Sequence, residues 1–331
     1  MEKKNTFSRW RGFNLPNMFS HYDAKDFEEE DFKWISEWGF NFVRIPLNYR
    51  LWTEEDDIYE IKEDVLKKID LVIEWGEKYG IHTCINFHRA PGYCVNDELS
   101  EKFNLWKDEE AVDAFCYHWG IFAERYRDIS SDTLSFNLVN EPPHPSEEVM
   151  TREDHERVIR KAVNHLRKID PERLLIIDGI SFGNEPLFEL SDLAVGQSCR
   201  GYLPMGLTHY KASWAGGENW PEPVWPGAWH YGEIWDRKKL EEHYTRWAAL
   251  KDRGVGVHCG EAGAFKFTPH NVVLAWMKDL LEVLSERDIG FALWNLKGPF
   301  GILDSEREDV EYEDWQDHKL DRKMLSLLQA Y

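Results

Sequence analysis

Two kinds of segment alternate along most of this chain. Short apolar runs end on polar residues: RGFN (11–14), NFVRIP (41–46), IHTCINFH (81–88), TLSFNLVNE (133–141), LLIIDG (174–179), MGLTHY (205–210), VGVHCGE (255–261) and GFALWN (290–295). Their length and their β-branched and aromatic content predict eight strands. Between them lie stretches with apolar residues at spacings of three and four. Ile61, Val65, Ile69, Val72 and Ile73 form one such stripe, and Val112, Phe115, Cys116, Trp119, Phe122 and Tyr126 a second. Val158, Ile159, Ala162, Val163, Leu166 and Ile169 form a third, and Val272, Val273, Trp276, Leu280 and Leu284 a fourth. Each predicts a helix with one buried face.

The junctions repeat as well. Gly39, Gly80, Gly254 and Gly290 each stand between a helical pattern and the next apolar run, where a helix C-cap calls for a left-handed residue. Asp170-Pro171 ends another helix by steric means. Eight strand-helix units in series predict an α/β fold, a single (β/α)8 TIM barrel over residues 1–331, in preference to an open doubly wound sheet. Segment 211–236, KASWAGGENWPEPVWPGAWHYGEIWD, has neither period. Its length and its tryptophans predict a functional loop after strand six, over the C-terminal face of the barrel.

Composition narrows the function classes. The chain of 331 residues is 42% hydrophobic and 14% aromatic, enough for one large core. A net charge of −21 disfavours nucleic-acid and anionic-membrane partners. Five cysteines without a C-x-x-C pair argue for reduced thiols over a disulfide framework or a zinc site. MEKKNTFSRWRG has no apolar run behind its lysines, so a cytoplasmic location is expected, or secretion if a leader has been trimmed.

Two glutamates carry the candidate chemistry. Asn140-Glu141-Pro142 and Cys259-Gly260-Glu261-Ala262-Gly263 both close apolar runs, four and seven in the series. Taken singly, Glu141 reads equally well as the cap of the next helix, and Glu261 reads also as a glutamate in a tight turn. Together they sit nearly opposite each other across a small barrel. Paired carboxylates flanking a scissile bond, about 5–5.5 Å apart in retaining enzymes, are what glycoside hydrolysis requires. Arg44, His88, His209, Tyr210 and Trp294 also fall at or near strand ends. An arginine keeps a neighbouring carboxylate ionised, and an indole face stacks on a pyranose.

RGFNLPNMF, FVRIP, NFHRAPG, NLVNEP, THY, CGEAG and ALWNLKGPFGILDSERED follow one another in order, and over nearly the whole chain this series resembles glycoside hydrolase family 5. The resemblance implies Glu141 as acid/base and Glu261 as nucleophile. Arg44, His88, Asn140, His209 and Trp294 would then be substrate-site residues, His209 as the histidine after strand six. One departure stands out: the tyrosine expected two residues after that histidine is replaced by Lys211, leaving Tyr210 one residue too early. The resemblance implies a β-linked oligo- or polysaccharide substrate. Trp214, Trp220, Trp225 and Trp229 are expected to include stacking platforms for it, with Asp304 and Arg307 from the last loop as weaker contacts. No cofactor or metal is expected, since no H-E-x-x-H motif is present and double displacement needs none. The competing class is a sugar-binding barrel with weak or lost catalysis.

Overall fold

The computed structural model describes residues 7–96 and 99–331. Eight parallel strands form the barrel: β1 (Arg11–Asn14), β2 (Phe42–Asn48), β3 (His82–Ala90), β4 (Leu134–Asn137), β5 (Leu174–Asp178), β6 (Gly196–Gly201), β7 (Val257–Ala262) and β8 (Gly290–Leu293). Neighbours pair in sequence order, β8 pairs β1, and the β2–β3 pairing completes the ring. The predicted stripes lie on helices Glu63–Tyr79, Glu109–Arg125, Arg152–Ile169 and His270–Glu286, whose apolar faces pack on the outside of the barrel, except that Ile61 precedes the first helix in a bridge with Thr53 and Tyr126 is the C-cap of the second. Helix Arg237–Ala248, which has a weaker apolar stripe, packs on the barrel with Leu240, Tyr244 and Trp247. Among the described residues no helix is long and apolar enough to cross a membrane.

The sixth strand corrects the sequence reading. MGLTHY is not a strand: Met205–Thr208 is a single helical turn after Pro204, and His209 follows it. The strand is GQSCRG, which lacks an apolar run altogether. Its alternation is of another kind. Ser198 and Arg200 point into the barrel, while the buried Gln197 faces out and uses its carboxamide to bind the Leu187 N–H and C=O at 2.9 and 2.7 Å. Hydrogen bonds satisfy these polar groups, so hydrophobicity is not needed to bury them. Two smaller differences follow. Regular pairing of β4 stops at Asn137, four residues before Glu141. Gly39, Gly80 and Gly254 do take left-handed caps, but before β8 Asp288 does so, at φ 51°. Gly290 is needed for closeness instead, since a Cβ there would stand 2.0 Å from the Trp10 carbonyl oxygen.

The barrel interior is layered. At its N-terminal end Trp10 stacks on Phe7, Phe42 and His82 at 4.8, 5.1 and 4.0 Å and closes the floor. Alternation along the strands then places Arg44, Asn137, Asp178 and Arg200 in the layer nearest the C-terminal mouth. The Trp-rich segment follows β6 as two short turns and a small hairpin, Ala228–His230 with Glu233–Trp235.

Candidate active site

Glu261 reaches the mouth through an irregularity in β7. Cys259 is in register with Cys199, but Glu261 is in register with Arg200, so Gly260 is the extra residue of a bulge. Only glycine fits there: a Cβ would lie 2.4 Å from Ser198 Oγ. The bulge sets Glu261 and Arg200 side by side. Glu261 is 3% exposed. Arg44 Nη1 donates to its Oε1 at 2.6 Å, and Tyr202 Oη donates to its Oε2 at 3.1 Å. Burial, followed by the Glu261 and Glu141 charges, pushes the Tyr202 phenol well above its ordinary value, so it stays a donor.

Glu141 is presented differently. Its backbone is left-handed at φ 45°, a strained conformation for a non-glycine residue. Two hydrogen bonds hold it there: its N–H donates to Asp178 Oδ2 at 2.9 Å, and its carbonyl accepts from Tyr93 Oη at 2.5 Å. Its side chain is 15% exposed, and Arg200 Nε donates to Oε1 at 2.7 Å. Burial pushes the Glu141 carboxyl up to about 7, helped by the Glu261 charge and opposed by Arg200. A carboxyl held there can donate a proton near neutral pH.

Asn140 joins the two. Its Oδ1 accepts from Arg44 Nη2 at 2.8 Å and from Arg200 Nη2 at 2.9 Å. Both partners are obligate donors, so the amide orientation is fixed. Its Nδ2 is left buried without a partner among the described residues, a donor ready for a substrate hydroxyl. Below, Arg44 also donates to Asn137 and Asn14 at 2.9 and 3.0 Å. Asp178 accepts from Asn137 Nδ2 at 2.9 Å and from Arg200. Burial alone would raise its pKa; Arg200 and Arg44 outweigh it and hold Asp178 below its ordinary value.

His88 and Trp294 form a wall on the far side, with ring centroids 5.5 Å apart and Phe19 edge-on to both. Burial, then Arg44, lowers His88 to about 3, so the ring is neutral. Its Nε2 meets Asn96 Oδ1 at 3.1 Å, and Nδ1 has no partner among the described residues.

The structure therefore brings Arg44, His88, Asn140, Glu141, Glu261 and Trp294 together. It does not place His209 among them. His209 lies behind Tyr202, edge-on at 5.2 Å and beside Thr208 Oγ1 at 2.9 Å. Arg200 occupies the end of β6, and Tyr202, two residues on, supplies the hydroxyl on Glu261. Tyr210 instead lies under Lys211, 5.2 Å from its ammonium. Sequence reasoning missed Arg200, Tyr202 and Asp178. The Arg-x-Tyr spacing in CRGY was the available signal for the first two, hidden by a strand without apolar residues.

The loop tryptophans divide. Trp214 is 64% exposed and packs edge-on against Phe265 at 4.7 Å. Trp220, Trp229 and Tyr231 form a cluster with centroids 5.5–6.0 Å apart. Trp225 is tied down by a 2.8 Å bond from its indole N–H to Asp279. Asp304 is engaged by His318 and by the Lys319 N–H at 2.5 and 2.8 Å. Arg307 is buried and donates to the Thr268 carbonyl at 2.7 Å and to that of Ala264.

A closed parallel barrel with two glutamates and two buried guanidinium groups at its mouth has the architecture of a barrel glycoside hydrolase. Comparison with known proteins makes the assignment specific. The chain belongs to glycosyl hydrolase family 5, whose cellulase profile matches residues 1–299. It is 28% identical to endoglucanase C of Acetivibrio thermocellus, over 91% of this chain and 95% of that protein. Cellodextrinase A of Ruminococcus flavefaciens is 26% identical over 84% and 83%. A crystal structure of a glycoside hydrolase superposes with a TM-score of 0.93 at 42% identity, covering 97% and 99% of the two chains. Thermotoga maritima Cel5A in complex with mannotriose superposes at 0.78 with 25% identity, covering 99% of both.

Proposed function

We propose that the protein is a retaining glycosidase that cleaves β-linked gluco- or manno-configured oligo- or polysaccharides by double displacement. Glu261 attacks the anomeric carbon while Glu141 protonates the departing glycosidic oxygen; Glu141 then takes a proton from the water that releases the sugar. The observation that carries this reading is the unequal treatment of the two carboxylates. Glu261 is gripped by Arg44 and the Tyr202 hydroxyl, while Glu141 is held up to about 7 by burial and the Glu261 charge.

The free Nδ2 of Asn140 suits the sugar 2-hydroxyl, a bond that strengthens as the oxocarbenium-like transition state forms. His88 and Trp294 wall the subsite of the reacting sugar, and Trp214 offers an exposed face farther out. The endoglucanase and cellodextrinase names of the relatives, and a neighbour crystallised with mannotriose, support a β-glucan or β-mannan substrate.

The test is hydrolysis of β-glucan, β-mannan, cello- and manno-oligosaccharides and aryl β-glycosides by the wild type, Glu261→Ala and Glu141→Ala. Cleavage of at least one substrate, with losses of several orders of magnitude in both variants, is the expected result. A wild type that binds these sugars and cleaves none would replace this reading with a sugar-binding barrel.

A further inference from the structure

Arg200 is fully buried and uses its whole guanidinium. Nε donates to Glu141 Oε1 at 2.7 Å. Nη2 donates to Asn140 Oδ1 at 2.9 Å and to Asp178, and lies 3.2 Å from Glu261 Oε1. Nη1 donates to Ser198 Oγ at 3.0 Å and to the Cys199 carbonyl at 3.3 Å. The residue is closely packed: a Cβ on Gly183 would lie 2.6 Å from Arg200 Cγ, and Tyr244 Oη donates to the Arg200 backbone carbonyl at 2.8 Å.

We propose that Arg200 is a positioning residue that fixes which oxygen of Glu141 carries the proton and drives that proton off as the glycosyl-enzyme forms. The proposal rests on the assignment of Glu141 and Glu261 given above. A guanidinium has no acceptor, so Oε1, which receives the Nε–H, cannot also carry a proton directed at Arg200. The unprotonated oxygen is the better acceptor, so this bond favours the acidic proton on Oε2, the oxygen left for the substrate.

Charge balance supplies the second half. The groups that face Glu141 are Arg200 and Tyr202 from the β6 end, Glu261 from β7, Asp178 from β5, Arg44 from β2, His88 from β3, and Tyr93 from the short segment Tyr93–Cys94 that turns back on β3. Burial keeps His88 neutral and Tyr93 and Tyr202 protonated. Two guanidinium groups therefore meet three carboxyls, joined by the contacts from Arg44 and Arg200. The set is neutral when Glu141 alone is protonated. In the first step a Glu261 oxygen bonds to the anomeric carbon, the bond to the leaving oxygen breaks, and the Glu141 proton moves to that oxygen. Glu261 becomes a neutral ester and Glu141 a carboxylate, so the set is neutral again. Water then attacks the anomeric carbon, the ester bond breaks, and a water proton returns to Glu141. Without Arg200, ionised Glu141 would face Asp178 with only Arg44 to balance both, and would hold its proton when a base is needed.

Arg200→Gln and Arg200→Lys test this through pH profiles. The basic limb of kcat/KM reports Glu141 losing its proton in the free enzyme. The acidic limb of kcat on an activated aryl glycoside, with glycosyl-enzyme breakdown limiting, reports Glu141 in the intermediate. Loss of the cation in Arg200→Gln should move both limbs up by about one pH unit, while Arg200→Lys, which keeps the charge, should leave them near wild type. A purely structural role would lower rates at every pH with both limbs in place, and that result would overturn the proposal. Wild-type enzyme gives a second test if the glutamine variant does not fold. The 15N shift of Arg200 Nε should titrate with its midpoint at the basic limb, and a flat Nε signal across that range would also overturn it. Failure of the function itself looks different: Glu141→Ala and Glu261→Ala would then keep activity.

Discussion

Replacing Asp178 by asparagine should move the pH profile in the direction opposite to that of Arg200→Gln. Asp178 is completely buried, and its two oxygens meet three donors: Asn137 Nδ2 at Oδ1, and Arg200 Nη2 and the Glu141 N–H at Oδ2. The carboxamide of asparagine has one acceptor oxygen, so its NH2 must face at least one of those donors. One partner of a buried ion pair is lost as well, which costs about 3–5 kcal/mol of stability. The charge change acts on Glu141. With Asp178 neutralised, Arg44 and Arg200 balance Glu141 and Glu261 when both are ionised, and Glu141 loses part of the repulsion that keeps it protonated. Its pKa, now raised to about 7, should fall by about one unit. The basic limb of kcat/KM then moves down, and activity near neutral pH drops because the acid is already ionised. Chemical denaturation measures the first effect, and kcat/KM from pH 4 to 9 on an unactivated oligosaccharide measures the second. A stable variant whose basic limb stays put or rises would refute the charge-balance reasoning.

Tyr202→Phe removes the hydroxyl on Glu261, and losing a hydrogen bond to a charged group should cost about 1.5–3 kcal/mol, or about 10- to 100-fold in kcat. Tyr210→Phe should leave kcat near wild type; the reverse ranking would restore the shifted His-Tyr reading. Gly260→Ala should destabilise the fold by about 1–3 kcal/mol through the contact with Ser198 Oγ, and adding Ser198→Ala should recover part of that in a double-mutant cycle. Trp214→Ala should raise KM for long substrates while changing unfolding free energy by less than about 0.5 kcal/mol, because the ring is exposed. Trp225→Phe should do the opposite, lowering stability through the lost Asp279 bond with KM unchanged. Asp178, with its pKa depressed in the folded state, contributes stability above the ordinary aspartate pKa near 4 and loses it as pH falls through its lower folded value. Acid unfolding should therefore be delayed in Asp178→Asn relative to its neutral-pH stability.

How much of this was legible depended on what kind of burial each segment uses. Seven strands and four helices bury apolar side chains, and period shows them. Strand β6 buries Gln197, Ser198 and Arg200 by hydrogen bonding, so hydrophobic period passed over GQSCRG and settled on the apolar residues of MGLTHY. That slip carried His209 and Tyr210 into the site and left Arg200 and Tyr202 out. Glu141 and Glu261 were legible because each ends a run next to residues suited to tight backbone, Pro142 and the glycines around Glu261. The left-handed turn at Glu141 and the bulge at Gly260 were not, since both arise from contacts with distant strands. Asp178 lay within a recognised strand, but its role depends on Arg200, which had not been placed.

Double displacement as proposed requires a covalent glycosyl intermediate on Glu261. Incubation with an activated 2-deoxy-2-fluoro β-glycoside of the sugar that the enzyme cleaves, followed by intact mass and peptide mapping, tests it directly. A stoichiometric fluoroglycosyl adduct on the peptide containing Glu261, absent in Glu261→Ala, is the result expected. An adduct on another residue, or turnover that gives the inverted sugar as first product without an adduct, would contradict it.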